Sequence, residues 1–255
     1  LLDQVLQLLA EQGVLAPLVR LGPGTFETRG NVQIEAGGAL SRAIGWRPRT
    51  AWKITGSGIG TTILKVVGAT PDDRLHNAIG GQDYDDRADY AEVSDLTVDC
   101  NMAGNPGTAV GAVSLIGSHT RIRRVQAINF GTEASGVECF VLVVSGAHPN
   151  LDLTGEIEDC VIEDCVAELP WPNNVRETTV LHASSGERPT DGVMAFPRAC
   201  VIRNCYVNCE YPGGKSSLRI AVESLVNVGG RQFELTTKTP HERSTGDYLV
   251  LSNVL

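Results

Sequence analysis

Short apolar stretches, each interrupted by a polar residue, recur along this chain at long, regular intervals. Residues 160–168 read CVIEDCVAE and residues 200–208 read CVIRNCYVN, an offset of 40. Residues 120–128, TRIRRVQAI, share the same character one further offset upstream, and VSDLTVDC at 93–100 is an earlier copy displaced by 29. Aligned, the copies form apolar columns: Val93/Ile122/Ile162/Ile202, Leu96/Val125/Cys165/Cys205 and Val98/Ala127/Ala167/Val207. A polar column, Asp95/Arg124/Asp164/Asn204, runs between the first two. The inward positions are not at helical spacing, β-branched residues are frequent, and Gly, Asn and Pro punctuate the runs, so each copy is read as strand. A unit of this kind cannot bury its own face, but stacked units bury a continuous column. The pattern therefore predicts an all-β, right-handed parallel β-helix with coils ~4.8 Å apart.

The N-terminal segment has another period. Leu1, Leu2, Val5, Leu6, Leu8 and Leu9 lie on one broad helical face and Gly13 is a plausible stop. Residues 1–17 are expected to form a helix that caps the open end of the solenoid and protects its terminal strand edge. The solenoid itself is assigned to 18–217, with insertions near 71–92 and 168–199, and 218–255 to the start of a small, truncated β module. Strands are expected at 18–26, around a Gly-Pro-Gly turn, and near 31–35 and 51–55. Gly56, Gly58 and Gly60 resemble a phosphate-binding loop only superficially. Such a loop must open a helix, whereas Thr61-Thr62-Ile63-Leu64 continues as strand.

Composition agrees with a narrow, layered core. Hydrophobic residues are 42% and aromatics only 5%. Glycine is 28 of 255 residues, about 11% against a usual ~7%, which favours frequent tight turns over helices. A net charge of −9 and a pI near 5.0 argue against a nucleic-acid partner, because phosphate recognition needs clustered Lys and Arg. No apolar run of about 18 residues is present, so membrane insertion is not expected. No signal peptide is recognisable, and both ends read as trimmed.

Of the seven cysteines, five fall between Cys160 and Cys209. Their spacing does not suit zinc, since no His follows at ligand spacing. Cys165 and Cys205 occupy an inward column, where a thiol behaves as a small hydrophobe. Buried free thiols are the expectation, with disulfides as the alternative. The outward column Arg123/Glu163/Arg203 alternates in sign, which fits exposed ion pairs between coils.

The stretches VRLGPGTFE, KITGSGIGTTILKV and VSDLTVDCN together resemble the opening of the pectate-lyase-like superfamily of right-handed parallel β-helices, over about residues 1–210. That superfamily contains lyases, hydrolases, uronate epimerases, phage tailspikes and plain binding proteins, so the resemblance implies a fold and a polysaccharide partner more than an activity. Cys100 stands where the family often has glycine. FELTTKTPHERSTGDYLVLSNV (233–254) resembles small β modules of phage tail and appendage proteins, with Glu242 in place of the usual glycine. These likenesses imply an extracellular, secreted or virion-surface setting.

Two classes of function stay open: a glycan-binding solenoid, with or without activity as a polysaccharide lyase, hydrolase or epimerase, and a non-catalytic structural or assembly component of a tail or surface fibre, with a homotrimer as one arrangement. The hydrolase signatures (an Asn-Thr-Asp rung, an Asp pair, a Gly-His-Gly turn) and the lyase arginines are absent. Asp99, at a strand end, and Glu138 are the candidate catalytic acids, with His119 and His148 as candidate bases; each also reads as a turn or surface residue. Arg121, Arg123, His148, Trp171 and Asp191 are candidate substrate contacts. Arg121-Ile122-Arg123 is equally explained as two outward residues flanking an inward one. No cofactor is expected. Calcium is a candidate only in the acidic loop 72–89, with Asp72, Asp73, Asp83, Asp85, Asp86 and Asp89, although the EF-hand spacing is missing; a solvated loop explains the same residues.

Overall fold

The computed structural model describes residues 18–36, 39–42, 51–68, 73–80, 87–106, 109–132, 139–146, 156–169, 178–184, 197–209, 218–229 and 232–237, together with residues 8, 12 and 14. The chain is a parallel β-solenoid whose coils alternate between two sheets. Its strands are β1 (Leu18–Arg20), β2 (Gly24–Thr28), β3 (Asn31–Ala36), β4 (Ala39–Arg42), β5 (Lys53–Thr55), β6 (Thr62–Val66), β7 (Asp73–Gly80), β8 (Glu92–Asp99) and β9 (Ala109–Ile116). They continue with β10 (Arg121–Ile128), β11 (Gly131–Thr132), β12 (Cys139–Ser145), β13 (Val161–Glu163), β14 (Val166–Leu169), β15 (Thr178–Ser184), β16 (Val201–Cys209), β17 (Leu218–Gly229) and β18 (Gln232–Thr237). One 3-10 turn, Met102–Gly104, lies between β8 and β9.

The first sheet stacks β1, β5, β8, β10, β13 and β16 in parallel, with β2 and β6 extending the early rungs and β14 completing a later one. Its register pairs Val19 with Ile54, Ile54 with Val93, Val93 with Ile122, Ile122 with Ile162 and Ile162 with Ile202. A second inward file runs Phe26, Leu64, Val98, Ala127, Ala167, Val207. The columns read from the sequence are thus physical ladders. Leu64, Val93, Leu96, Val98, Ile122, Val125, Ala127 and Ile162 are fully buried, and a buried aliphatic of this kind contributes about 1.5–3 kcal/mol.

The second sheet contains the parallel run β7-β9-β12-β15, with β3 and β4 attached antiparallel at one side. It differs from the sequence reading in an instructive way. Asp73–Gly80, assigned above to an acidic insertion, is β7, and Thr178–Ser184, inside the other assigned insertion, is β15. Every coil must return, and the return strands vary more in sequence than the strands of the first sheet, so they read as insertions. The two sheets share one core, with Ile79, Val113, Leu142 and Val144 of the second facing the ladders of the first.

Beyond β16 the stacking changes sense. β17 pairs antiparallel with β16, and β18 antiparallel with β17, so these two strands continue the first sheet in antiparallel sense. The expected capping helix, 1–17, lies outside the described residues except at positions 8, 12 and 14, where the Gln12 amide donates to the Leu8 carbonyl at 3.0 Å.

Two files of left-handed residues bend each coil at the same places. Asp95, Arg124, Asp164 and Asn204, with φ of 60, 49, 55 and 52°, form the polar column seen in the sequence and kink each rung midway. Ala51, Tyr90, His119, Asp159 and Ala199, with φ of 59, 63, 58, 51 and 53°, form the turn that enters each rung. Among the turn glycines, Gly60 adopts φ 72°, and a Cβ on Gly56 would fall 2.3 Å from the Asp95 carbonyl oxygen, so the stretch between β5 and β6 is a tight turn against the next coil.

Candidate functional site

The file of entry turns creates the most chemically varied surface among the described residues. Backbone bonds tie the central members of the file to the neighbouring coil: Tyr90 N donates to Ser118 O at 2.9 Å, His119 N to Glu158 O at 2.8 Å, and Asp159 N to Arg198 O at 2.8 Å. Because the turns repeat with the same backbone geometry, their side chains leave in parallel directions and meet their neighbours along the file. Tyr90 and His119 stack, with ring centroids 4.6 Å apart and an interplanar angle of 12°. The next position beyond Tyr90 is Ala51, which has no ring to offer, and Tyr90 is 56% exposed.

On its other side His119 approaches carboxylates. Its Nδ1 lies 3.2 Å from Asp159 Oδ2 and its Nε2 lies 3.6 Å from Glu158 Oε1. Asp159 Oδ2 also accepts from Arg121 Nη2 at 2.6 Å, and the same guanidinium donates to the backbone carbonyls of Thr120 and Asp159. The Arg121 hydrogen bond, followed by that from His119, holds the Asp159 carboxyl below its ordinary value against the opposing effect of burial. Outward on the adjoining rungs stand Lys53 and Glu92, paired at 3.4 Å, with Glu92 in register beside Arg121. The turn beneath is braced by Asp89, whose Oδ1 accepts from Ser118 N at 2.7 Å and from Arg87 Nε at 2.9 Å.

Of the residues selected from sequence, the structure brings together His119 and Arg121, and adds Tyr90, Asp159, Glu158, Glu92 and Lys53. Asp99 is not with them. It ends β8 at the far end of the rung, where its Oδ1 accepts from Asn101 N and from Asn129 Nδ2, both at 2.9 Å, so it holds a turn. Arg123 points outward beside Arg121 yet is engaged by Glu163, Nε to Oε1 at 2.7 Å. Glu163 also accepts from Arg203 Nε at 2.7 Å and is only 8% exposed. The reading of this file as exposed ion pairs is thereby corrected at Glu163: its carboxylate is a buried anion, hydrogen-bonded by Arg203 and ion-paired with Arg123, whose Nε makes no hydrogen bond. Glu138, His148, Trp171 and Asp191 lie outside the described residues, as do Asp72, Asp83, Asp85 and Asp86 of the acidic loop. Among the described residues no group of three or more His, Cys, Asp or Glu is placed to hold a metal ion.

A signal for the missed residues was present. Asp159 lies forty positions after His119, and Tyr90 lies twenty-nine before it, the same offsets that align the strands. Applying the repeat to turns as well as to strands would have put all three in one file.

No protein-family model matches the sequence, and no curated protein matches it. Among solved structures, the A-module of the mannuronan C-5 epimerase AlgE6 from Azotobacter vinelandii is similar at 15% identity, over 76% of this chain and 56% of that one, with a TM-score of 0.31. A likeness this slight carries no argument about chemistry.

Proposed function

We propose that this chain is a glycan-binding β-solenoid of an extracellular or virion surface, and that the Tyr90 file is where sugar is held. The observation that carries the reading is the stacked Tyr90–His119 pair beside the Arg121–Asp159 ion pair. A pyranose ring has an apolar C–H face and a rim of hydroxyls. The first suits an exposed aromatic face, and the second suits a fixed carboxylate and guanidinium spaced to accept and donate. Ligand sites of this sort combine apolar contact with a few oriented polar groups. The ladder continues to either side, so a polymer lying along the solenoid axis would meet Lys53 and Glu92 on the way.

Binding is favoured over cleavage by the state of Asp159. A glycosidase needs one carboxyl raised to act as acid and a second positioned across the bond. Here the Asp159 carboxyl at the centre of the cluster is held below its ordinary value by Arg121 and His119, so it stays ionised and has no proton to give a leaving group.

The test is affinity for a panel of neutral and uronate oligosaccharides, measured by calorimetry on the wild type, Tyr90→Ala and His119→Ala. Alanine occupies the same left-handed turn position at Ala51 and Ala199, so Tyr90→Ala is compatible with the fold. Loss of at least about tenfold in affinity, the worth of ~1.4 kcal/mol, is expected with an unchanged unfolding midpoint. A wild type that binds nothing on the panel, or a Tyr90→Ala variant that binds as tightly, would leave a structural or assembly solenoid as the better description.

A further inference from the structure

The repeat also stacks cysteines. Cys160 and Cys200 directly precede the paired residues Val161 and Val201, and the Val201 amide donates to the Cys160 carbonyl at 2.8 Å, which places the two thiols on adjacent coils at equivalent positions. Adjacent strands are ~4.8 Å apart, inside the roughly 4.4–6.8 Å between Cα atoms that a disulfide spans. Both are free thiols in this structure. Cys160 is fully buried, whereas Cys200 is 7% exposed and so marks the side from which a small reagent arrives.

We propose that Cys160 and Cys200 are a modification site: a thiol pair that a small two-electron oxidant of the peroxide class converts into a disulfide clasping two successive coils. The Cys160 thiol is the one that ionises. The hydrogen bond from the Cys200 thiol draws it down to about 6, and the Thr120 hydroxyl, the Thr120 backbone and the charge of Arg121 act in the same direction against burial. The Cys200 thiol is pushed up for the complementary reason, since it keeps the shared proton. In the first step the Cys160 thiolate attacks one oxygen of hydrogen peroxide. The O–O bond breaks, a sulfenic acid forms, and the departing hydroxide takes up the proton the thiol had lost. In the second step the Cys200 sulfur attacks the sulfenic sulfur, the S–O bond breaks, and the oxygen leaves as water with the Cys200 proton. Two thiols and one peroxide become one disulfide and two waters.

Closure gives up only weak thiol contacts, that of Cys160 to the Gly117 carbonyl of the preceding coil at 3.3 Å and that of Cys200 to the Arg198 carbonyl at 3.5 Å. Cys165 and Cys205 are stacked in the same way but are 1% and 2% exposed. They serve as an internal comparison for access.

The experiment uses the whole chain, treated with hydrogen peroxide while folded, then unfolded, alkylated and mapped by mass spectrometry. The expected result is a cross-linked Cys160–Cys200 peptide pair lighter by two hydrogens, with both thiols lost to alkylation together. An unfolding midpoint higher by about 5 °C or more, reversed by dithiothreitol, should accompany it, because the bridge closes a long loop. In Cys200→Ser, Cys160 should stop at the sulfenic acid and be trapped by dimedone. If the wild type leaves both thiols alkylatable after peroxide, or carries Cys160 to a sulfinic acid without cross-linking, the proposal is overturned whatever the variant does.

Discussion

At the scale of single residues, the outward and inward faces of the same rung obey different physics. Ile162 and Cys165 sit in apolar files with almost no exposed area, and Glu163 between them is turned outward but buried beneath two arginines. Cys165→Asp places a charge where nothing can pair it, and several kcal/mol of destabilisation is expected. Glu163→Gln is expected to cost about 1–2 kcal/mol, since it removes the charged acceptor of the Arg203 hydrogen bond and the ion-pair partner of Arg123, two guanidiniums that retain partial access to water. Urea unfolding of the two variants checks both values, and an unchanged midpoint for Glu163→Gln would contradict the burial seen for this carboxylate. Asp95 makes a related case. Arg124 donates to both its oxygens, at 2.5 and 2.9 Å, and this pairing holds its carboxyl below the ordinary 3.8. A carboxyl with a lower pKa when folded contributes stability that is full above the unfolded value and is lost as pH falls through the folded one. The unfolding midpoint should therefore drop on acidification from pH 5 towards pH 2, and Asp95→Asn should show a shallower drop from a lower starting point.

Single strands and turns are specified by what their coil neighbours require. The file Asp95/Arg124/Asp164/Asn204 is polar because the midway kink demands a left-handed backbone with its side chain in water. Asn and Asp tolerate that conformation best among residues with a Cβ, and β-branched ones worst. Asp164 is exposed, so its replacement tests the backbone almost alone. Asp164→Gly should leave stability within about 1 kcal/mol, whereas Asp164→Val should lower it by about 1–2 kcal/mol. Thermal unfolding distinguishes them, and equal midpoints would mean that the kink is not conformationally demanding. The entry turns use the same backbone device for another end, since their side chains stack on each other. Sequence periodicity exposed the kink file because it lay inside recognisable strands. It passed over the entry file because Ala51, Tyr90, His119, Asp159 and Ala199 share a conformation but no chemical character.

For the whole molecule, the modular unit is one coil. Ile122, Ile162 and Ile202 stack in strict register at steps of forty, so removal of residues 161–200 joins Cys160 to Val201 and brings Ile202 directly under Ile122. Such a deletion preserves every file in the first sheet and is expected to give a folded, cooperative solenoid of lower stability, because nearest-neighbour interfaces supply most of the energy. A deletion shorter by an odd number of residues reverses inward and outward positions and should not fold. Circular dichroism and unfolding of both shortened chains decide this. Failure of the full-coil deletion alongside the shifted one would mean that the second sheet, rather than the files of the first, sets the register.

The sequence alone determined the stacked architecture, the inward columns and the buried thiols, because a repeated strand with one face in the core must keep that face apolar in every copy. It also singled out His119 and Arg121 as chemically notable. Only the tertiary structure decided that β7 and β15 form the return sheet, since those strands lack a recurrent sequence and are held by neighbours far along the chain. The grouping of Tyr90, His119, Asp159 and Arg121, and the separation of Asp99 from them, likewise came from the fold. Residues on consecutive coils are brought together by backbone bonds that no local pattern records, so proximity across the file exists only once the coils are stacked.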